Sequence, residues 1–316
     1  MRVCFSKGYT ASLPDGHRFP MGKFAGLREI SQREGLIEDA DVVAPEPALW
    51  QDLGLVHGAD FLFRLRHGLL DRKAERRMGL PWTRAIVRRS RLATQGTILA
   101  GRLALQDGLA ANLAGGMHHG YLDHSEGFCV LNDVAVAVRA LQRDHSVRRV
   151  LLVDLDVHQG NGNAAIFEGD PSVFTFSMHG ARNYPFKKER SDLDVGLEDG
   201  TGDHNYLGQL TAHLKVAIDR ARPDLIFYLA GIDPVEGDRF GKLSLTRLGL
   251  IERERAVLEA ATGRGIPTAI VLSGGYASSD TETANLHAVV HRVAAEMINS
   301  GKMVLSRSTP VLGKNL

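Results

Sequence analysis

The segment VLLVDLDVHQGNGN, Val150 to Asn163, opens on apolar residues, then sets Asp154, Asp156 and His158 at alternate positions before two glycines. In an extended chain, residues two apart point to the same side, so these three side chains share a face if the strand persists that far. An aspartate and a histidine so placed suit a divalent transition metal such as zinc, which accepts imidazole nitrogen and carboxylate oxygen. A third ligand is available in LAGIDP, where Asp233 closes another apolar run and Pro234 stops its continuation. Two carboxylates and one imidazole leave a coordination position open, the pattern of a catalytic rather than a structural zinc. The competing reading is an Asp-rich strand-to-helix turn whose carboxylates cap helix ends.

Two more clusters carry candidate chemistry. In GGMHHGYLDHSEGFCVLND, residues 115–133, the adjacent His118 and His119 follow two glycines, which let backbone come close to a ligand. Imidazole is matched to taking a proton from water near neutral pH, and two histidines can divide the task between a base and a supporting charge. In LSGGY, residues 272–276, Tyr276 follows two glycines. Its phenol is placed to donate to an oxyanion, although the same tripeptide also serves as a turn with a packed ring.

These groups must be held by something, and the chain supplies it. Apolar runs at 2–6, 109–114, 149–155, 173–178, 225–231 and 268–273 read as strands. Helices are expected at 24–34, 83–107, 132–143, 206–221, 246–263 and 280–298. In the fourth, Leu207, Leu210, Leu214 and Ile218 recur at three- and four-residue steps, as one buried helix face requires. Pro223 and Pro267 stand just before new strands, where a helix has already stopped. Alternating strands and helices imply right-handed crossovers and a parallel sheet covered on both faces, whose strands are near-continuous apolar runs. Ligands bind outside the carboxyl ends of such strands, so the polar tails of four strands should converge on one crevice.

Bulk properties fit this α/β reading. The chain has 316 residues, 44% hydrophobic and 24% charged, with a formal net charge of +1, so no nucleic-acid partner is implied. The basic stretches DRKAERR (71–77) and VRRSR (87–91) are expected to be solvated helix faces. Two cysteines, Cys4 and Cys129, make no disulfide framework and suit a reducing compartment. No signal peptide is expected before MRVCFSKGYT, and no apolar run approaches the roughly 18–20 residues of a membrane helix; a cytoplasmic protein is expected. One domain over 1–316 is expected, with a weakly packed tail from about residue 304.

Taken together, GHRFPMGKF, GGMHHGYLDHSEGFCVLNDVAVA, VLLVDLDVHQGNGNAAIF, FSMHGARNYPFKKERSDLDVGLEDGTGDHNYL, AGIDPVEGDRFGKLSLTRLGL and VLSGGY resemble the histone deacetylase family, within the arginase/deacetylase fold. The wording around HQGNGN is most similar to the class IV and bacterial deacetylase-like branches. The resemblance implies a doubly wound, mostly parallel sheet of about eight strands with helices on both faces. It implies one zinc per chain and hydrolysis of acyl-lysine amides or of a related small acylated amine. Carried over by position, Asp156, His158 and Asp233 are the zinc ligands. His118 and His119 are the paired histidines, and Tyr276 polarises the scissile carbonyl. Asp154 orients His118 and, near Ser177, helps bind a structural monovalent cation, usually potassium. Gly127, Phe128 and Tyr184 wall the channel for the acyl-lysine stem. Asn161 stands where several members carry an aspartate as partner of the second histidine; a neutral amide stabilises an imidazolium less. Three rival readings stand beside this one: a binuclear manganese hydrolase of the arginase type, a catalytically silent acyl-lysine binding module, and an acylpolyamine deacetylase. No membrane partner is expected, and the oligomeric state is left open.

Overall fold

Four runs of the chain are apolar on both sides and end in polar residues, and in the computed structural model, which describes residues 1–305, all four lie in one sheet. The eight strands are β1 (Val3–Cys4), β2 (Val42–Val43), β3 (Leu109–Asn112), β4 (Val150–Asp154), β5 (Val173–Gly180), β6 (Leu193–Leu197), β7 (Leu225–Leu229) and β8 (Thr268–Val271). Their order is β2-β1-β3-β8-β7-β4-β5-β6, and every pair is parallel. All residues of the inner strands β3, β4, β7 and β8 are buried, as helices on both faces require.

The helices are α1 (Lys23–Arg33), α2 (Trp50–Leu53), α3 (Ala59–His67), α4 (Arg72–Met78), α5 (Arg84–Asp107), α6 (Asp133–Arg143), α7 (Asn161–Phe167), α8 (Asp203–Ala221), α9 (Arg247–Thr262) and α10 (Asp280–Asn299). Long α5 lies against β1, β3, β7 and β8 and packs on α6; α8 lies on β4, β5 and β6, and α9, α10 and α1 continue the row of packed helices beside it. Helix starts follow local chemistry. The Thr83, Asn132, Thr246 and Ser279 side chains each accept from a backbone N–H in the first turn of α5, α6, α9 and α10, as N-caps do.

The sheet differs from the expectation at its edges. β2 has two residues, and β6, LDVGL, alternates buried and exposed positions; neither is the continuous apolar run that marks a central strand. Helices α2, α3, α4 and α7 are also additional. The tail expected from about residue 304 lies, beyond 305, outside the described residues. No helix among the described residues is long and apolar enough to cross a membrane.

The basic stretch 87–91 does not form a wholly solvated face. Arg89 turns inward from α5 and is buried; its Nε donates to the Tyr9 carbonyl (2.9 Å) and its guanidinium lies over Phe24 (4.7 Å). A single spacing rule for a helix face cannot tell an inward arginine from an outward one when the core behind it is aromatic.

One buried ion pair sets the strand ends. Arg253 of α9 is fully buried; its Nη1 donates to the carbonyls of Leu155 and Gly231 (3.2 and 2.7 Å), so it clamps the tails of β4 and β7 together. Its Nη2 pairs with Glu254, which also accepts from the Tyr228 hydroxyl. Removing one member leaves the other charge uncompensated, so Arg253→Met should destabilise the protein by about 3–5 kcal/mol. Chemical unfolding should show this loss, and Arg253→Met with Glu254→Gln should recover part of it.

Candidate active site

The crevice forms where β3, β4, β7 and β8 end. Strand β4 stops at Asp154, and the chain then turns on its own carboxylates. The Asp156 N–H donates to Asp154 Oδ1 (3.2 Å), and the His158 N–H to Asp156 Oδ1 (2.9 Å). The extended geometry therefore does not carry through to His158, and Asp154 separates from the other two. Its Oδ2 accepts from His118 Nδ1 at 2.7 Å, while Asp156 and His158 face Asp233 from the tail of β7.

Asp156, His158 and Asp233 form one group whose ligand atoms all lie within 4.8 Å of one another, and all three residues are buried. His158 Nδ1 stands 2.9 Å from Asp156 Oδ1 and 3.3 Å from Asp233 Oδ2. The outer oxygens are spoken for: Asp156 Oδ2 accepts from the Gly274 N–H (2.6 Å) and Ser273 Oγ (2.8 Å), and Asp233 Oδ1 from the Val157 N–H (2.8 Å). Inner Asp233 Oδ2 is buried with no hydrogen-bond partner. Metal–ligand bonds of ~2.0–2.2 Å in a tetrahedron put ligand atoms about 3.3 Å apart, close to the spacing here. Burial and the Asp156 charge push the Asp233 carboxyl up to about 7. Two carboxylates this dry and this close resist being charged together unless a cation lies between them. A Cβ on Gly274 would collide with Asp233 Oδ2, so the glycine leaves the inner oxygens room. The residues therefore fit a divalent metal.

His118 and His119 arrive on the loop after β3, with ring centroids 4.1 Å apart. The Asp133 carboxylate at the start of α6 holds this loop by accepting from the N–H groups of Gly116 and Met117 (3.0 and 2.7 Å). Burial pulls the His118 imidazole down, but Asp154 and Asp156 outweigh it and raise it to about 9. Burial, then the charges of His118 and His158, pull His119 well below the usual histidine range. The two imidazoles are thus pushed in opposite directions, His118 towards its charged form and His119 towards its neutral one. His119 Nδ1 lies 2.6 Å from Asn161 Oδ1. Asn161 Nδ2 in turn donates to Glu126 Oε1 (2.9 Å) and the Tyr121 hydroxyl (3.0 Å). Because the amide nitrogen is fixed by a carboxylate, the amide oxygen faces His119. His119 therefore carries its proton on Nδ1 and leaves Nε2 free.

Tyr276 follows β8 and lies between an inner cavity and an outer channel, lining both. Burial, with Asp156 and Asp233 nearby, pushes its phenol well above the usual range, so it remains a donor. The channel, about 410 Å³, is walled by Phe128 and Tyr184, together with Phe240. Tyr184 stands edge-on to His119 at 5.1 Å, and Phe240 to Tyr276 at 4.8 Å. Gly127 and Phe128 both take left-handed backbone angles (φ 55° and 66°), and a Cβ on Gly127 would meet the His119 ring. Ser177 lies opposite Asp154 in the β4–β5 register, and its hydroxyl bonds His179 Nδ1 (2.9 Å).

Several residues of the crevice give no sign of their role in sequence, although Glu126 lies inside GGMHHGYLDHSEGFCVLND and Lys23 inside GHRFPMGKF. Glu126 also accepts from the Tyr184 hydroxyl, so it joins the Asn161 partner to the channel wall. The inner cavity, about 40 Å³, is lined by buried Lys23 and Arg89. Lys23 Nζ donates to the Ser273 carbonyl (3.1 Å), and burial lowers its pKa to about 8. Lys23 and Arg89 look like helix surface charges in sequence; only the packing turns them inward.

A profile of the histone deacetylase domain matches residues 17–292. An uncharacterized protein of Picosynechococcus sp. (strain ATCC 27264 / PCC 7002 / PR-6) is 45% identical over 295 residues, covering 93% of this chain and 98% of that protein. Histone deacetylase 2 of Arabidopsis thaliana is 31% identical over 289 residues, covering 88% of this chain and 75% of that one. Among solved structures, an HDAC homologue complexed with SAHA superposes with a TM-score of 0.76 at 23% identity, over 95% of this chain and 88% of that chain.

Proposed function

The chain belongs to the histone deacetylase family, and from that premise we propose that it is a zinc-dependent amidohydrolase that removes short acyl groups, acetyl foremost, from lysine side chains or a related amine. The observation that carries this reading is the buried Asp233 Oδ2, which has no hydrogen bond and stands 3.3 Å from His158 Nδ1 at the foot of an aromatic channel. We take residues 1–316 as one catalytic domain of the cytoplasm.

Asp156, His158 and Asp233 would hold one zinc. Bound there, zinc would supply Lewis acidity, polarising a carbonyl and acidifying water. The remaining steps belong to the chain. Tyr184 and Phe128 would sheathe the apolar stem of the acyl-lysine, with Gly127 keeping the wall close to His119. The Tyr276 hydroxyl would donate to the acyl oxygen as negative charge develops on it. Neutral His119, held by Asn161, would take the proton of the attacking water on Nε2 as the new C–O bond forms. It would return that proton to the amine nitrogen as the C–N bond breaks. His118, paired with Asp154, would supply positive charge beside the reacting centre. Lys23 and Arg89 in the inner cavity would meet the carboxylate product. A structural potassium is part of the same proposal, beside Asp154 and Ser177, which neighbour each other across β4 and β5.

The size of the inner cavity supports short acyl groups. At about 40 Å³ it holds about three water-sized centres, each needing ~10–15 Å³, and its two cations disfavour an alkyl chain. The test is acetate or fatty-acid release from acyl-lysine peptides of graded chain length. Acetyl should exceed octanoyl in kcat/KM, and Tyr276→Phe should lower kcat about 10²–10³-fold with peptide affinity little changed. Peptide binding without any hydrolysis would identify a binding module instead.

A further inference from the structure

The mouth of the channel carries charge of one sign. Arg182, Arg239 and Lys242 line it together with exposed Phe186, and among the described residues no carboxylate lines it. Arg239 Nη2 donates to the Ser278 carbonyl (2.8 Å) and pairs with no carboxylate among the described residues. Arg182 and Lys242 are only loosely matched, by Glu198 at 3.7 Å and Asp199 at 4.0 Å, both outside the channel lining. Glu236, the acidic residue that follows the Asp233 turn, is exposed and is not part of the mouth. Lys188, in the same loop as Arg182, does not line the channel; its Nζ donates to the Asn183 and Pro185 carbonyls (2.6 Å each).

We infer that the site selects acyl-lysines flanked by acidic residues and disfavours polycationic amines. This rests on the deacylase reading above and narrows its substrate class. The acyl stem fills the channel, so whatever the acylated nitrogen belongs to sits at the mouth among three positive groups. An acylpolyamine brings one or more ammonium groups to that place and is repelled. A peptide with aspartate or glutamate beside the acyl-lysine is attracted, and Phe186 offers its backbone an apolar rest. Charges this exposed act mainly on encounter and orientation and weaken as salt screens them.

The experiment compares four substrates: acetyl-lysine peptides with acidic, neutral and basic flanks, and monoacetylspermidine. At low ionic strength the acidic-flanked peptide should exceed the basic-flanked one by about tenfold in kcat/KM, carried by KM. The ratio should shrink towards one in 0.5 M salt, roughly one Debye length of ~4 Å. Arg239→Glu with Lys242→Glu should invert the ratio, and the same order should appear in peptide Kd by fluorescence anisotropy. A flank preference that is absent, or that favours basic peptides or monoacetylspermidine in the unaltered protein, overturns the inference. Turnover of the neutral-flanked peptide reports separately on the deacylase reading: if it proceeds while the flank ratio stays at one, only the present inference falls. If no acyl substrate is turned over, both fall.

Discussion

Asp233→Asn should reduce turnover to background, a loss of at least about 10⁴ in kcat/KM, and should leave the protein without bound zinc. The substitution keeps the shape of the side chain and an oxygen to accept from the Val157 N–H, so the fold should persist. The same change offers a second readout in protein freed of metal. The Asp233 carboxyl is raised to about 7 by burial and by Asp156, well above its value in an unfolded chain. A raised carboxyl is protonated in the folded state between those two values, so stability falls as pH rises through that window, and the full penalty remains above about 7. Metal-free Asp233→Asn lacks this penalty and should be more stable than metal-free wild type at pH 8. Equilibrium unfolding in denaturant, with metal content measured on the same samples, checks both statements. Stoichiometric zinc retained by the variant would remove Asp233 from the ligand set.

His119→Ala should lower kcat by about 10²–10⁴ with a smaller change in KM, since proton transfer belongs to the transition state. His118→Ala should also be harmful, and the two effects should not add, because the rings are neighbours on one proton path. The geometry refines a test by charge. A carboxylate at position 161 should raise the His119 pKa and move the acidic limb of kcat/KM to higher pH. Yet Asn161 Nδ2 lies 2.9 Å from Glu126 Oε1, so Asn161→Asp alone sets two carboxylates side by side, and one will hold a proton. Asn161→Asp combined with Glu126→Gln restores a donor facing a carboxylate, and the full upward shift is expected only there. An acidic limb unmoved in the double variant would mean that His119 is not the base.

Much of this was legible from residue order. Strands buried on both faces leave a continuous apolar run, and the change to aspartate, histidine or tyrosine at the end of each marks where burial by helices gives way to a crevice. That is why Asp156, His158, Asp233, the histidine pair and Tyr276 stand out in the sequence. What stayed hidden lacks such a contrast. The edge strands β2 and β6 are two residues long and half-solvated, respectively, so their pattern resembles loop. Helix α7 begins Asn-Gly-Asn, residues that oppose helix formation alone, and it forms where the chain is already pinned between β4 and the histidine loop. Lys23, Arg89, Glu126 and Arg253 are single charges in amphipathic or polar stretches, and nothing local separates an inward charge from a solvated one. Their significance comes from long-range packing: Arg253 from α9 meets two carbonyls 98 and 22 residues away. The relay from His119 through Asn161 to Glu126 likewise leaves the histidine loop for the start of α7, 42 residues on, and returns to the same loop.

One metal ion, held by Asp156, His158 and Asp233, should be required for amide hydrolysis. The most direct measurement is a titration. Protein stripped by a chelator is reconstituted with increasing zinc, and bound metal and acetate release from an acetyl-lysine peptide are followed on the same samples. Turnover should be absent without metal, rise in proportion to bound zinc and level off at one equivalent per chain. Full turnover in metal-free protein, or a plateau reached only at two equivalents, would contradict it.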